Sequence, residues 1–88
     1  MSKLAKIISA NRIDTGGHVD CYYGEMENGL YFLASDGDSD NIVLIVDENP
    51  KNDLDKAFTL EWQEEHTVET LKSNSANTII AEIRSKIG

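Results

Sequence analysis

Val19-Asp20-Cys21-Tyr22-Tyr23-Gly24-Glu25-Met26-Glu27-Asn28-Gly29-Leu30-Tyr31-Phe32-Leu33-Ala34-Ser35 is the stretch that decides the fold. Its first half alternates, with Val19, Cys21 and Tyr23 on one side and Asp20 and Tyr22 on the other, which is the period of a strand. Gly24 interrupts that run as a candidate bulge. Asn28-Gly29 then predicts a two-residue type I′ hairpin, since both residue types tolerate positive φ. The hairpin pairs residues 19–26 with 30–35. After a second turn, Asp36-Gly37-Asp38-Ser39-Asp40-Asn41, the run Ile42-Val43-Leu44-Ile45-Val46 makes a third strand. The three strands read as an antiparallel meander.

Working outward, Leu30-Tyr31-Phe32-Leu33 and Ile42-Val43-Leu44-Ile45-Val46 are apolar at consecutive positions and lack a solvent side. Strands of that kind are covered on both faces. Asp40, Asp47 and Glu48 flank them as gatekeepers against edge aggregation. Asn49-Pro50 breaks the pattern, because proline has no amide to donate. Phe58, Leu60 and Trp62 alternate with Thr59, Glu61 and Gln63, predicting a fourth strand over 58–63. A short helical turn is expected over 67–72. Ala76, Ile79, Ile80, Ile83 and Ile87 share one arc of a helix, with Asn74 or Ser75 to cap its start and Arg84 and Lys86 at its negative end. Residues 2–11 fit either a helix, with Leu4, Ile7 and Ile8 at helical spacing, or an edge strand running on to Ile13. Asp14-Thr15-Gly16-Gly17 is a turn. The expected fold is α+β: an antiparallel sheet of four or five strands packed against a C-terminal amphipathic helix.

The 88 residues are 40% hydrophobic and 27% charged, enough for one compact domain over 1–88 with one core. No apolar run exceeds five residues, where a membrane span needs about twenty. The first nine residues hold no signal-peptide core. Cys21 has no second cysteine to pair with, which reads as a reducing, cytoplasmic setting.

The net charge of −8 is unevenly placed. From Ile13 to Pro50 there is no Lys or Arg, but there are nine acids: Asp14, Asp20, Glu25, Glu27, Asp36, Asp38, Asp40, Asp47 and Glu48. The two ends together carry eight bases and seven acids. Direct nucleic-acid binding is disfavoured, since it needs Lys and Arg clusters to displace counterions. An anionic surface suits a partner with a basic surface, and complementary fields speed such encounters. Asp20, Asp36, Asp38 and Asp40 are the candidate contacts, with Tyr22 and Tyr31 as aromatic anchors. If residues 2–11 form a strand, one apolar face lacks cover, and a homodimer burying Leu33, Val43 and Ile45 is the alternative.

The twelve residues from Asp36 to Asp47 resemble an EF-hand calcium loop. Asp36, Asp38 and Asp40 match its first, third and fifth ligand positions, with Asp47 at the twelfth. Asn41 stands where that loop has glycine, and Asp47 where it has glutamate. A cation, Ca²⁺, is thus a second alternative, set against an Asp-rich turn with no cofactor. His18, Asp20 and Cys21 are ligand types without zinc spacing. His66 beside Glu64 and Glu65 reads as a residue of an exposed loop. No phosphate-binding glycine loop, Gly-x-Ser-x-Gly elbow or His-Glu-x-x-His is present, so a non-enzyme is expected.

Overall fold

The computed structural model describes residues 4–13, 20–37 and 41–87. The turn at Asp14-Thr15-Gly16-Gly17, His18, Asp38 and Asp40 lie outside the described residues. Five antiparallel strands run in chain order across one sheet: β1 (Ile7–Ile13), β2 (Asp20–Met26), β3 (Tyr31–Asp36), β4 (Ile42–Val46) and β5 (Thr67–Lys72). A 3₁₀ turn (Pro50–Asn52) and two short helices, α1 (Leu54–Ala57) and α2 (Leu60–His66), separate β4 from β5. Helix α3 (Ser73–Ile87) closes the fold. The α+β architecture is therefore as expected, with five strands and the N-terminal segment as an edge strand.

The β2–β3 hairpin forms, with Glu25 opposite Tyr31 and Gly24 opposite Phe32. Its turn differs from a two-residue type I′. Gly29 has φ 85°, but Asn28 is not in the left-handed region. The Gly29 amide donates to the Met26 carbonyl at 3.2 Å and the Met26 amide to the Leu30 carbonyl at 2.9 Å. These bonds close a three-residue loop, Glu27-Asn28-Gly29, in which one left-handed glycine suffices. Asn28 instead accepts the Leu30 amide on its side-chain oxygen at 3.1 Å.

Two expectations are corrected in the 58–72 region. Residues 60–66 are helix α2, and 67–72 are strand β5. Helix α2 starts where the Thr59 hydroxyl accepts the Trp62 amide, and α1 where the Asp53 carboxylate accepts the Lys56 amide. Strand β5 alternates half-buried and exposed residues, with β-branched Thr67, Val68 and Thr70 suited to the pleat.

This exchange supplies the cover that the sheet needs. On one face, Tyr22, Met26, Phe32, Ala34, Val43 and Ile45 pack with Ile7 against Ala76, Ile79, Ile80 and Ile83 of α3. On the other, Leu33 and Val46 pack with Ala57 and Trp62. Leu33, Val43 and Ile45 are 2%, 0% and 0% exposed within the single chain. These three therefore need no second copy to bury them: α3 covers Val43 and Ile45, and α1 and α2 cover Leu33 on the face that a strand over 58–63 would have left bare.

Both edge strands carry one extra residue. Ile8 is inserted between Ile7 opposite Met26 and Ser9 opposite Glu25, and Val68 between Thr67 opposite Val46 and Glu69 opposite Ile45. Both are exposed. Such bulges twist an edge and interrupt its ladder. The chain passes from α2 to β5 at His66–Thr67, and from β5 to α3 at Lys72–Ser73, with no intervening residue. Ser73 makes the second corner with φ 56°.

Candidate functional site

The described acids of the 13–50 segment, Asp20, Glu25, Glu27, Asp36, Asp47 and Glu48, divide between the two ends of the sheet. At one end Asp20 and Asp36 face each other across β2 and β3 on the side packed by α3. Each meets an arginine. Arg12 lies 3.7 Å from Asp20, and Arg84 of α3 forms an ion pair with Asp36. The Asp36 side chain is 11% exposed, so this pair is the better shielded of the two. Tyr22 sits between them and is 3% exposed, its hydroxyl 3.4 Å from Nε of Arg84. As an exposed anchor Tyr22 is therefore corrected. Its side of β2 was read rightly as that of Asp20, but α3 lies over that side.

The opposite end gathers a different set. Glu25 and Tyr31 are cross-strand partners, and Tyr31 is also opposite Val46, which leads directly into Asp47 and Glu48. Tyr31 is half-buried against the cluster containing Trp62. Glu27 follows β2 in the same hairpin, where its amide donates to the Lys6 carbonyl at 2.9 Å. Among the described residues, neither Lys nor Arg forms an ion pair with Glu25, Glu27, Asp47 or Glu48.

His66 holds this end together. Its Nδ1 is 2.9 Å from Asp47 and its Nε2 is 3.4 Å from Glu48. Its ring lies 4.6 Å from that of Trp62, tilted by 44°. The Asp47 amide donates to the His66 carbonyl at 3.1 Å, so main chain and side chain both tie the end of β4 to the end of α2. Alongside is an open polar cleft of about 440 Å³, lined by Glu48, Asn52, Asp53, Lys56, Glu65 and His66 among others. His66 was read from the sequence beside Glu64 and Glu65; its carboxylate partners come from nineteen and eighteen residues upstream. No local spacing announces that meeting.

The same geometry bears on one part of the calcium-loop reading, the closure of the loop by Asp47, while Asp38 and Asp40 lie outside the described residues. Residues 42–46 are extended as β4, carrying Asp47 to the end of the sheet opposite Asp36. Five residues of strand span roughly 16 Å, so Asp36 and Asp47 do not converge on one ion. Asp36 is engaged by Arg84, and Asp47 by His66. Among the described residues, no group of three or more His, Cys, Asp or Glu is arranged to hold a metal.

Cys21 is buried on the face away from α3. Burial pushes its thiol above the usual range, a hydrogen bond with Ser35 acts against this, and the Asp20 charge adds to the rise. A thiol kept neutral is a poor nucleophile. No helix is long and apolar enough to cross a membrane among the described residues.

No protein-family model, no curated protein and no solved structure matches this chain. What the site can do rests on its own chemistry: an anionic end with a half-buried tyrosine, next to a polar cleft.

Proposed function

We propose that this protein is an interaction module that binds a partner with a basic surface, without catalysing a reaction. The contact is the hairpin end of the sheet, where Glu25, Glu27, Asp47 and Glu48 surround Tyr31. The carrying observation is the contrast between the ends. Asp20 and Asp36 each have an arginine, whereas these four acids have no Lys or Arg ion pair among the described residues. Acids that no Lys or Arg offsets, next to a half-buried aromatic, give both steering and an anchor. The buried, unpaired Cys21 accords with a reducing, cytoplasmic setting.

The test is affinity capture of the tagged chain from its native cell beside a Glu25→Lys/Glu48→Lys variant. A basic protein retained by the wild type and lost from the variant supports the reading. A partner whose affinity stays constant between low and moderate salt sinks it, because attraction between exposed charges is screened over about 10 Å at 0.1 M salt.

A further inference from the structure

Of the seven asparagines in the chain, Asn28 alone is followed by glycine, and the pair stands at the exposed tip of the β2–β3 hairpin. Asparagine is a thermolabile side chain. Here the sequence allows a reaction within the main chain. The Gly29 nitrogen, once its proton has passed to hydroxide, attacks Cγ of Asn28. A bond forms between the two, and Nδ2 takes a proton from water and leaves as ammonia, which regenerates the hydroxide. The cyclic succinimide that remains is opened by water at either carbonyl. One product is aspartate, and the other is its isomer, in which the main chain runs through Cβ. Nothing is oxidised or reduced, and water with catalytic hydroxide is all that the step consumes. Glycine puts no Cβ beside the attacking nitrogen, and even a Cβ built on Gly29 would meet nothing within 4 Å, so the surroundings add no bar.

The closed hairpin nevertheless occupies both reacting groups. The Gly29 amide donates to the Met26 carbonyl at 3.2 Å, and the Asn28 side-chain oxygen accepts the Leu30 amide at 3.1 Å. An amide bound in this way gives up its proton when its hydrogen bond opens, the event that hydrogen exchange reads. Bringing Cγ of Asn28 onto the Gly29 nitrogen also turns its oxygen away from Leu30. Both bonds lie in a turn whose residues 27–29 are exposed, and such turns open far more often than the whole fold does.

We propose that Asn28 is a modification site whose conversion to aspartate and its isomer is gated by opening of the β2–β3 hairpin. The closed turn holds the reaction back, each opening admits it, and the product does not revert. Either product puts a new carboxylate beside Glu27. The isomer also lengthens the main chain inside a loop that the Met26–Gly29 and Met26–Leu30 bonds close over three residues, so it loosens the turn. The chemistry does not rest on the partner reading above, although it acts at the same end of the sheet.

The test incubates the intact chain at mildly alkaline pH, native or unfolded in guanidinium chloride, and follows the gain of about one dalton that replaces an amide by an acid. A glutamate-specific protease cuts after Glu27 and Glu48, and fragmentation of the peptide between them separates Asn28 from Asn41. Chromatography distinguishes aspartate from its isomer. Asn28 is expected to react before the other six asparagines in both states, and at least about tenfold more slowly in the native one. Small additions of denaturant below the unfolding transition are expected to speed the native reaction in step with exchange of the Gly29 amide. Equal rates in the two states, or a faster native one, overturn the gate. An Asn28 that stays intact in the unfolded chain, or that another asparagine precedes, overturns the site. Gly29 exchange that quickens while the modification does not overturns the link between them.

Discussion

A methyl group added at Gly24 falls inside contact distance of the Ser9 carbonyl oxygen and 2.6 Å from Cε2 and Cζ of Phe32. Gly24 lies in the middle of β2, between Ala10 on β1 and Phe32 on β3, and the Phe32 ring lies over it. The ring can tilt, but only into a core where Phe32 is 1% exposed. The Ser9 oxygen belongs to the backbone, so relief there requires β1 itself to shift beside its bulge at Ile8. Overpacking of this kind costs about 1–3 kcal/mol, and backbone involvement places Gly24→Ala near the upper end. For a domain of this size that lowers Tm by roughly 10–20 °C. Propensity alone gives the opposite sign, since alanine is favoured over glycine inside a strand by roughly 0.5–1 kcal/mol. Urea and thermal unfolding followed by circular dichroism therefore decide between the two. A Gly24→Ala protein as stable as the wild type, or more so, refutes the steric reasoning. Against a Phe32→Leu background, which carries its own cost as a core truncation, Gly24→Ala is expected to cost less than it does in the wild type; no remaining cost there shows that the Ser9 oxygen contributes nothing.

Trp62 is 4% exposed and joins α2 to Leu33, Val46 and Ala57, so Trp62→Ala is expected to cost about 3–5 kcal/mol in urea unfolding. Arg84→Ala strands the poorly exposed Asp36 carboxylate and is expected to cost about 1 kcal/mol, discounted because Arg84 is itself 58% exposed. Asp36→Asn in the same background is expected to restore stability. Burial favours the neutral Cys21 thiol over its thiolate. Its contribution is thus fully present below the ordinary thiol range and lost as pH rises through the raised value. Unfolding across alkaline pH is expected to show a steeper decline for the wild type than for Cys21→Ala, and alkylation of the native thiol to be slow.

The central meander and α3 were legible because their signals are local. Alternation in β2, continuous apolar runs in β3 and β4, and the isoleucine arc each answer to one neighbouring layer. The 58–72 region was misread because Phe58, Leu60 and Trp62 satisfy a strand period while serving different ends. Trp62 enters the core, and Leu60 remains 76% exposed. The better local signals were the caps, Asp53 and Thr59, and the β-branched set Thr67, Val68 and Thr70. Tyr22 shows another limit. Alternation tells which side of a strand a residue takes, but only the docking of α3 tells which side is interior. His66 is the clearest case, for its partners Asp47 and Glu48 belong to another element, and the meeting exists only once β4 and β5 pair.

The uninterrupted passage from α2 through β5 into α3 has a consequence for chain length. One added residue turns the remainder of a helix by about 100° and reverses every following side chain of a strand. An insertion at Lys72–Ser73 would carry Ile79, Ile80 and Ile83 away from the sheet, and one at His66–Thr67 would also pull His66 out of register with Asp47. With no loop at either corner, and with the bulge at Val68 already holding one extra residue, a further change of phase has no slack to enter. Residues 60–83 can exchange side chains at their exposed positions yet keep a fixed count, so they act as a ruler within the chain.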